Sequence, residues 1–259
     1  MTTESIWLTI VTVVKDDQAG LERSARSLSV QNRAGVEYLV IDSSADASSS
    51  AGVLEESGIS SSSIQWCEPR GIYSAMNFGL ELARGKYVYF LNAGETFRDS
   101  TVLEDLNRIV LLKAPAWIVG RVQILEQSGD CVTSAPWDYK AEKKALFARG
   151  LFPPHQGTIV RTATLRSVGG FNQKFTIAAD YAAALSLSRV DDPFMTNQVI
   201  ATFFEGGIST TRWQDSFREF HQARVEVFAP RGLAALCERV RYWRHFSSVW
   251  LVRKMRKIS

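Results

Sequence analysis

Between residue 6 and about residue 113 the chain alternates apolar, β-branched runs with segments of helical periodicity. That pattern leads to a parallel sheet wound with helices on both faces through right-handed crossovers. The run Ile6–Val14 suits a strand buried on both sides, and Asp16 and Asp17 stand where they can cap the helix carrying Leu21, Ala25 and Leu28. A second strand, Glu37–Asp42, ends on an acid. Residues 43–63 contain ten serines and read as a loop around a short helix. Ile64–Trp66 is a brief third strand. Ile72, Ala75, Met76, Gly79, Leu80 and Ala83 share one helix face, and Lys86–Leu91 is the fourth strand. In such sheets ligands bind beyond the carboxyl ends of the strands. Lys15, Asp42 and Asn92–Glu95 all fall there.

The second half is less regular. Trp117–Leu125, Gly157–Arg161 and Val199–Phe204 read as strands, Asp138–Arg149 and Ala179–Arg189 as helices, and Pro153–Pro154 as a stiff loop. From Arg212 the pattern is helical with breaks at Pro230 and Gly232. No internal repeat or linker interrupts the chain. One domain with a C-terminal appendage is the economical description.

At 259 residues the chain can bury a substantial core. The net charge of +3 gives no reason to expect nucleic acid, and no nucleic-acid motif accompanies the basic C-terminus. Cys67, Cys131 and Cys237 are few, odd in number and far apart, which argues for a reducing compartment and against a zinc cluster. No secretory signal opens the chain and no apolar run is long enough to span a bilayer. The expected location is cytoplasmic.

Several polar residues stand where chemistry would need them. Glu95, on the loop after the fourth strand, can offer a hard oxygen to Mg or Mn, with a diphosphate supplying more; by spacing alone a plain exposed loop acid is the commoner reading. Asp42 can accept from a nucleobase or ribose, or cap the serine-rich loop. Lys15 can reach a phosphate or remain solvated. Asp180 lies in the first turn of its helix, where the dipole favours negative charge, so it is a candidate general base or a plain helix-start acid. His155 and Gln156 sit on the Pro-Pro loop as a candidate substrate-contacting pair, while His221 and His245 look like surface residues. From Arg231 onward, basic and aromatic residues mix at helical spacing. This suits either a helix on an anionic membrane or one packing its aromatic face on the domain.

Five passages, in order, resemble the family 2 glycosyltransferases of GT-A fold, particularly bacterial enzymes that build exopolysaccharide or lipopolysaccharide sugars. These are Thr9–Asp17, Val40–Asp46, Glu68–Asn77, Tyr87–Glu95, and Pro154–Gln156 through Ala178–Tyr181; Phe203–Ser209 also looks like that subgroup. The resemblance implies one GT-A-like domain over 1–211, with a mostly parallel Rossmann-like sheet, and a basic helical extension over 212–259. Its nucleotide-sugar half would be about 1–115 and its acceptor half about 116–211. It implies an inverting transfer from a nucleotide-diphosphate-sugar to a saccharide or polyprenyl-linked hydroxyl at the inner face of the membrane. By similarity Val13, Lys15, Asp42, Gly71 and Asn92 hold the donor, Glu95 binds the metal, Asp180 is the base, and His155 and Gln156 face the acceptor. A degenerate domain that binds nucleotide-sugar or a partner without turnover is the alternative. A nucleotidyltransferase or a dinucleotide-dependent oxidoreductase would need a Gly-rich loop after the first strand, and Val14–Asp17 has none.

Overall fold

The computed structural model describes residues 5–46, 48–60, 63–126, 128–134, 138–140, 143, 147, 151–204 and 212–256. In chain order the first half is β1 (Leu8–Val14), α1 (Gln18–Ser29), β2 (Val36–Asp42), α2 (Ser48–Glu56), β3 (Ile64–Trp66), α3 (Ile72–Leu82), β4 (Tyr87–Phe90), β5 (Thr96–Phe97) and α4 (Val102–Lys113). There follow β6 (Trp117–Leu125), β7 (Cys131–Thr133), β8 (Thr158–Arg161), α5 (Thr162–Ser167), α6 (Ala179–Val190), β9 (Phe194–Phe204), α7 (Trp213–Phe228) and α8 (Leu233–Arg256). The helix expected at Asp138–Arg149 and the passage after Phe204 fall largely outside the described residues.

The sheet order is β3-β2-β1-β4-β8-β6-β9-β5, with β7 on the edge of β6. Strands β1 to β4 pair in parallel, as the alternation predicts. The expectation of a mostly parallel sheet does not hold beyond them. β8 runs antiparallel to both β4 and β6, β5 and β7 are also antiparallel, and only β6 with β9 restores a parallel pair. The sheet is mixed because β8 is inserted between β4 and β6 in reverse direction. That reversal brings residues 155–157, just before β8, beside the end of β4.

Side chains alternate across the pleat. Leu8, Ile10 and Val14 of β1 pack with Leu21, Leu28 and Leu106 on one face, where Tyr87 and Tyr89 of β4 also point. Val11 and Val13, with Val88 and Phe90, face Met76, Trp117 and Tyr181 on the other. Each fully buried aliphatic side chain contributes roughly 1.5–3 kcal/mol. Helix α3 lies so close to β1 that a Cβ at Gly79 would stand 2.4 Å from Val11 Cγ1. That contact sets the height of the α3 N-terminus above the sheet.

α7 packs on α6, and α8 packs on α7. Tyr181 of α6 meets Phe220 of α7 at 4.7 Å between ring centroids, and Phe246 of α8 stacks on Trp213 of α7 at 5.5 Å. Between the two helices Arg224 donates to Glu238 (Nε to Oε1, 2.6 Å), and both are buried. His221 is not a bare surface residue: it stacks on Tyr242 and bonds Glu238 at 3.1 Å. The side chain of His245 lies outside the described set. No described helix is long and apolar enough to cross a membrane.

Candidate active site

Two structures meet at the carboxyl edge of the parallel strands. The first is a cavity of about 240 Å3 lined by Val13, Lys15, Ser43, Pro69, Gly71 and Ile72. Its floor is the end of β1. Its wall is the start of α3, where Gly71 takes φ 106°, a conformation that L side chains rarely adopt. The ends of β1 and β2 are tied together, since Asp16 N donates to Ser44 Oγ at 2.8 Å. Asp42 is fully buried below them. Its Oδ1 accepts from Ser44 N at 2.7 Å, and its Oδ2 has no partner among the described residues.

The second is a polar cluster around Glu95. The loop after β4 folds back so that Glu95 Oε2 accepts from Asn92 N at 2.8 Å, while Gln156 Nε2 donates to Oε1 at 2.9 Å. The imidazole of His155 stands between the two candidate carboxylates. Its Nε2 is 3.5 Å from Glu95 Oε1 and its Nδ1 is 3.6 Å from Asp180 Oδ2. Burial pushes the ring towards neutrality, but the charge of Glu95 and the hydrogen bond to Asp180 outweigh it and hold the pKa up at about 10. Asn92 Nδ2 lies 3.0 Å from His155 Nε2, and which end of the amide faces the ring follows the ring's protonation.

Asp180 opens α6, whose N-cap residue, Ala178, offers no side-chain cap. Glu219 of α7 supplies one from outside: its carboxylate accepts from the N–H groups of Thr176, Ile177 and Ala178 at 3.1, 2.8 and 2.9 Å. Asp180 Oδ1 accepts from Tyr181 N at 2.8 Å. The Tyr73 hydroxyl, from the first turn of α3, donates to Ile177 O at 2.6 Å and lies 3.2 Å from Asp180 Oδ1. Burial pushes the Tyr73 phenol far up, so it stays protonated. The helix that lines the first cavity thus also touches the loop that carries Asp180.

The similarity puts His155 and Gln156 on the acceptor side; in the structure they join Glu95 and Asp180 in one cluster. Tyr73 and Glu219 are not among the residues the sequence points to. Tyr73 could have been noticed from its place in Gly71-Ile72-Tyr73, whereas nothing in the sequence marks Glu219. A larger groove, about 490 Å3, lies across α6 between Val168, Asn172, Arg189 and Glu226. It contains none of these residues, so size alone does not identify the site.

Among the described residues no group of three His, Cys, Asp or Glu side chains is disposed to hold a metal. What is present is one carboxylate, Glu95, and a buried Asn92 Oδ1 with no hydrogen-bond partner. Such a donor set fits a hard divalent ion that takes one or two protein oxygens and completes its shell from phosphates and water.

No protein-family profile matches the chain. It is similar to an uncharacterized glycosyltransferase of Mycobacterium tuberculosis, 26% identical over 211 residues, which are 79% of this chain and 78% of that one. It is also similar to a PGL/p-HBAD biosynthesis glycosyltransferase of Mycobacterium bovis, 23% identical over 67% of this chain and 65% of the relative. Among solved structures it shares its fold with S. aureus TarS 1-349 in complex with UDP-GlcNAc. That match has a TM-score of 0.65 at 13% identity and covers 93% of this chain and 71% of the other. Against a longer TarS chain the match spans 40% of that protein. A mannosyltransferase from Pyrobaculum calidifontis in complex with GDP-Man and Mn2+ matches with a TM-score of 0.59 at 14% identity, covering 96% of this chain and 76% of that one. The sequence relatives are glycosyltransferases, and the mixed α/β fold is that of glycosyltransferase structures.

Proposed function

We propose that the chain is an inverting glycosyltransferase of family 2 that moves a sugar from a nucleotide-diphosphate-sugar to a hydroxyl of a saccharide or lipid-linked acceptor. The observation that carries this reading is the meeting of Glu95 and Asp180 on either side of one imidazole, next to a cavity walled by Val13 and Gly71. The relatives named as glycosyltransferases support it.

The nucleoside lies in that cavity, with Lys15 at its rim, and Asp42, whose Oδ2 has no partner among the described residues, is the candidate acceptor for a base or ribose donor. The diphosphate points towards Asn92 and Glu95. A divalent cation held there by Glu95 and the Asn92 oxygen would, when bound, offset charge on the departing diphosphate. Asp180 takes the proton of the acceptor hydroxyl as that oxygen attacks the anomeric carbon from the side opposite the diphosphate. His155 stands between the two carboxylates and positions them, and Gln156 holds Glu95 in place. Glu219 fixes the turn that presents Asp180. We take the donor half to be about 1–115, the acceptor half about 116–211 and the extension 212–259, although Glu219 makes the extension part of the working site.

Thermal melts with a panel of UDP-, GDP- and dTDP-sugars, with and without manganese, test the reading. A donor at about 100 times its Kd stabilises the fold by about 2.7 kcal/mol through mass action. One nucleotide class should raise the melting temperature, more so with manganese. No shift with any donor would reject donor binding. A shift without product under any metal would favour the non-catalytic binding domain.

A further inference from the structure

Helix α8 carries its charge and its apolar surface in the reverse of the usual arrangement. From residue 231 to the end of the sequence there are eight Lys and Arg and one acid, Glu238. That acid is turned inwards, where it is bonded by Arg224, His221 and Arg241. Tyr242 and Phe246 also face α7, against His221 and Trp213. On the side turned away, Leu233, Leu236, Val240 and Trp243 recur at helical spacing, and each is at least half exposed. Arg239 and Arg244, both exposed, flank this stripe, and neither has an ion-pair partner among the described residues. The outer face of the described helix is therefore apolar along its middle, basic along its edges and free of acid.

The helix is also placed to matter for the reaction. Phe246 stacks on Trp213, the first residue of α7, and α8 continues ten residues further to Arg256, about 15 Å. Glu219, midway along α7, holds the turn that presents Asp180.

We propose that the Leu233–Leu236–Val240–Trp243 face of α8 lies on an anionic lipid bilayer, its arginines among the headgroups, and so holds the cleft at the membrane surface. A bilayer accounts for both halves of the pattern: the apolar stripe enters the acyl boundary while Arg239 and Arg244 meet lipid phosphates. A second copy of the chain would bring like charges together across the same stripe. A nucleic acid would leave the stripe unused. The consequence that the acceptor is a membrane lipid rests on the glycosyl-transfer reading; the docking itself does not, and it is measured without donor.

Co-sedimentation of the full chain with phosphatidylcholine vesicles, with and without phosphatidylglycerol, tests the proposal. The chain should pellet with the anionic vesicles and detach in high salt. The pair L236D and W243D should weaken that binding roughly tenfold or more while the chain still melts in one cooperative transition. The pair R239E and R244E should abolish the preference for the anionic lipid. Binding by L236D/W243D equal to that of the unaltered chain would overturn the proposal, as would no binding to anionic vesicles. A dimer in solution that L236D/W243D converts to monomer would also overturn it, by assigning the face to self-association.

Discussion

Asp180→Asn is expected to lower sugar transfer by about 100- to 10,000-fold, the usual contribution of a positioned general base. Asparagine keeps the size of the side chain and can still accept from Tyr181 N–H, so the turn held by Glu219 should stand. What it cannot do is take a proton from the acceptor hydroxyl. The nucleoside cavity lies against β1 and α3, away from this side chain, so the KM for donor should change little while kcat falls. Initial rates of transfer, with donor binding measured separately, distinguish the cases. Full activity in D180N would remove Asp180 from the chemistry. Equal losses of binding and turnover would point to a disturbed fold instead.

Glu238→Ala is expected to cost about 3–5 kcal/mol of stability, because it leaves Arg224 buried without its anion. The guanidinium is caught between α7, α8 and the Tyr181 hydroxyl, which accepts from Nη1 at 3.2 Å. Its surroundings include Phe152 and Phe220, which close on Tyr181, so water has little room to replace Glu238. Removing both charges together, as Arg224→Met with Glu238→Leu, should recover most of the loss, since the pair pays for its own desolvation. Chemical denaturation of the three variants measures this. A loss for E238A below about 1 kcal/mol would put the pair in the class of solvated surface bridges. Acid should act in the same direction. Burial pushes the Glu238 carboxyl up, but the bonds from Arg224 and His221 and the charge of Arg241 outweigh it and hold its pKa below the ordinary 4.5. Its contribution is therefore full above about pH 4.5 and is lost as pH falls through the lowered folded value.

The parallel half of the fold was legible because its signal is local. β1 and β4 are short β-branched or aromatic runs buried on both faces, β2 is buried towards its carboxyl end, and the helices between them keep a 3.6-residue stripe. The reversed β8 was not legible as reversed. Its four residues read as a strand in either direction, and its pairing with β4 joins Tyr89 to Ile159, 70 positions apart. That pairing, more than any motif, delivers His155 and Gln156 to Glu95. The carboxylates themselves could be named from position, since one ends a strand loop and the other begins a helix. Glu219 could not, because its role exists only once α7 packs on α6. In the C-terminal helix the aromatic residues fit either orientation by spacing alone. Glu238, the single acid in a basic stretch, was the usable clue to its inner face.

A structure of the chain with a nucleotide-diphosphate-sugar bound is the most direct test of the central claim. The nucleoside is expected against Val13 and Gly71, the diphosphate at Asn92 and Glu95, and the anomeric carbon between Glu95 and Asp180 with its open face towards Asp180. A donor seated instead in the groove between Val168 and Glu226, or one whose sugar leaves Asp180 on the same side as the diphosphate, would contradict it.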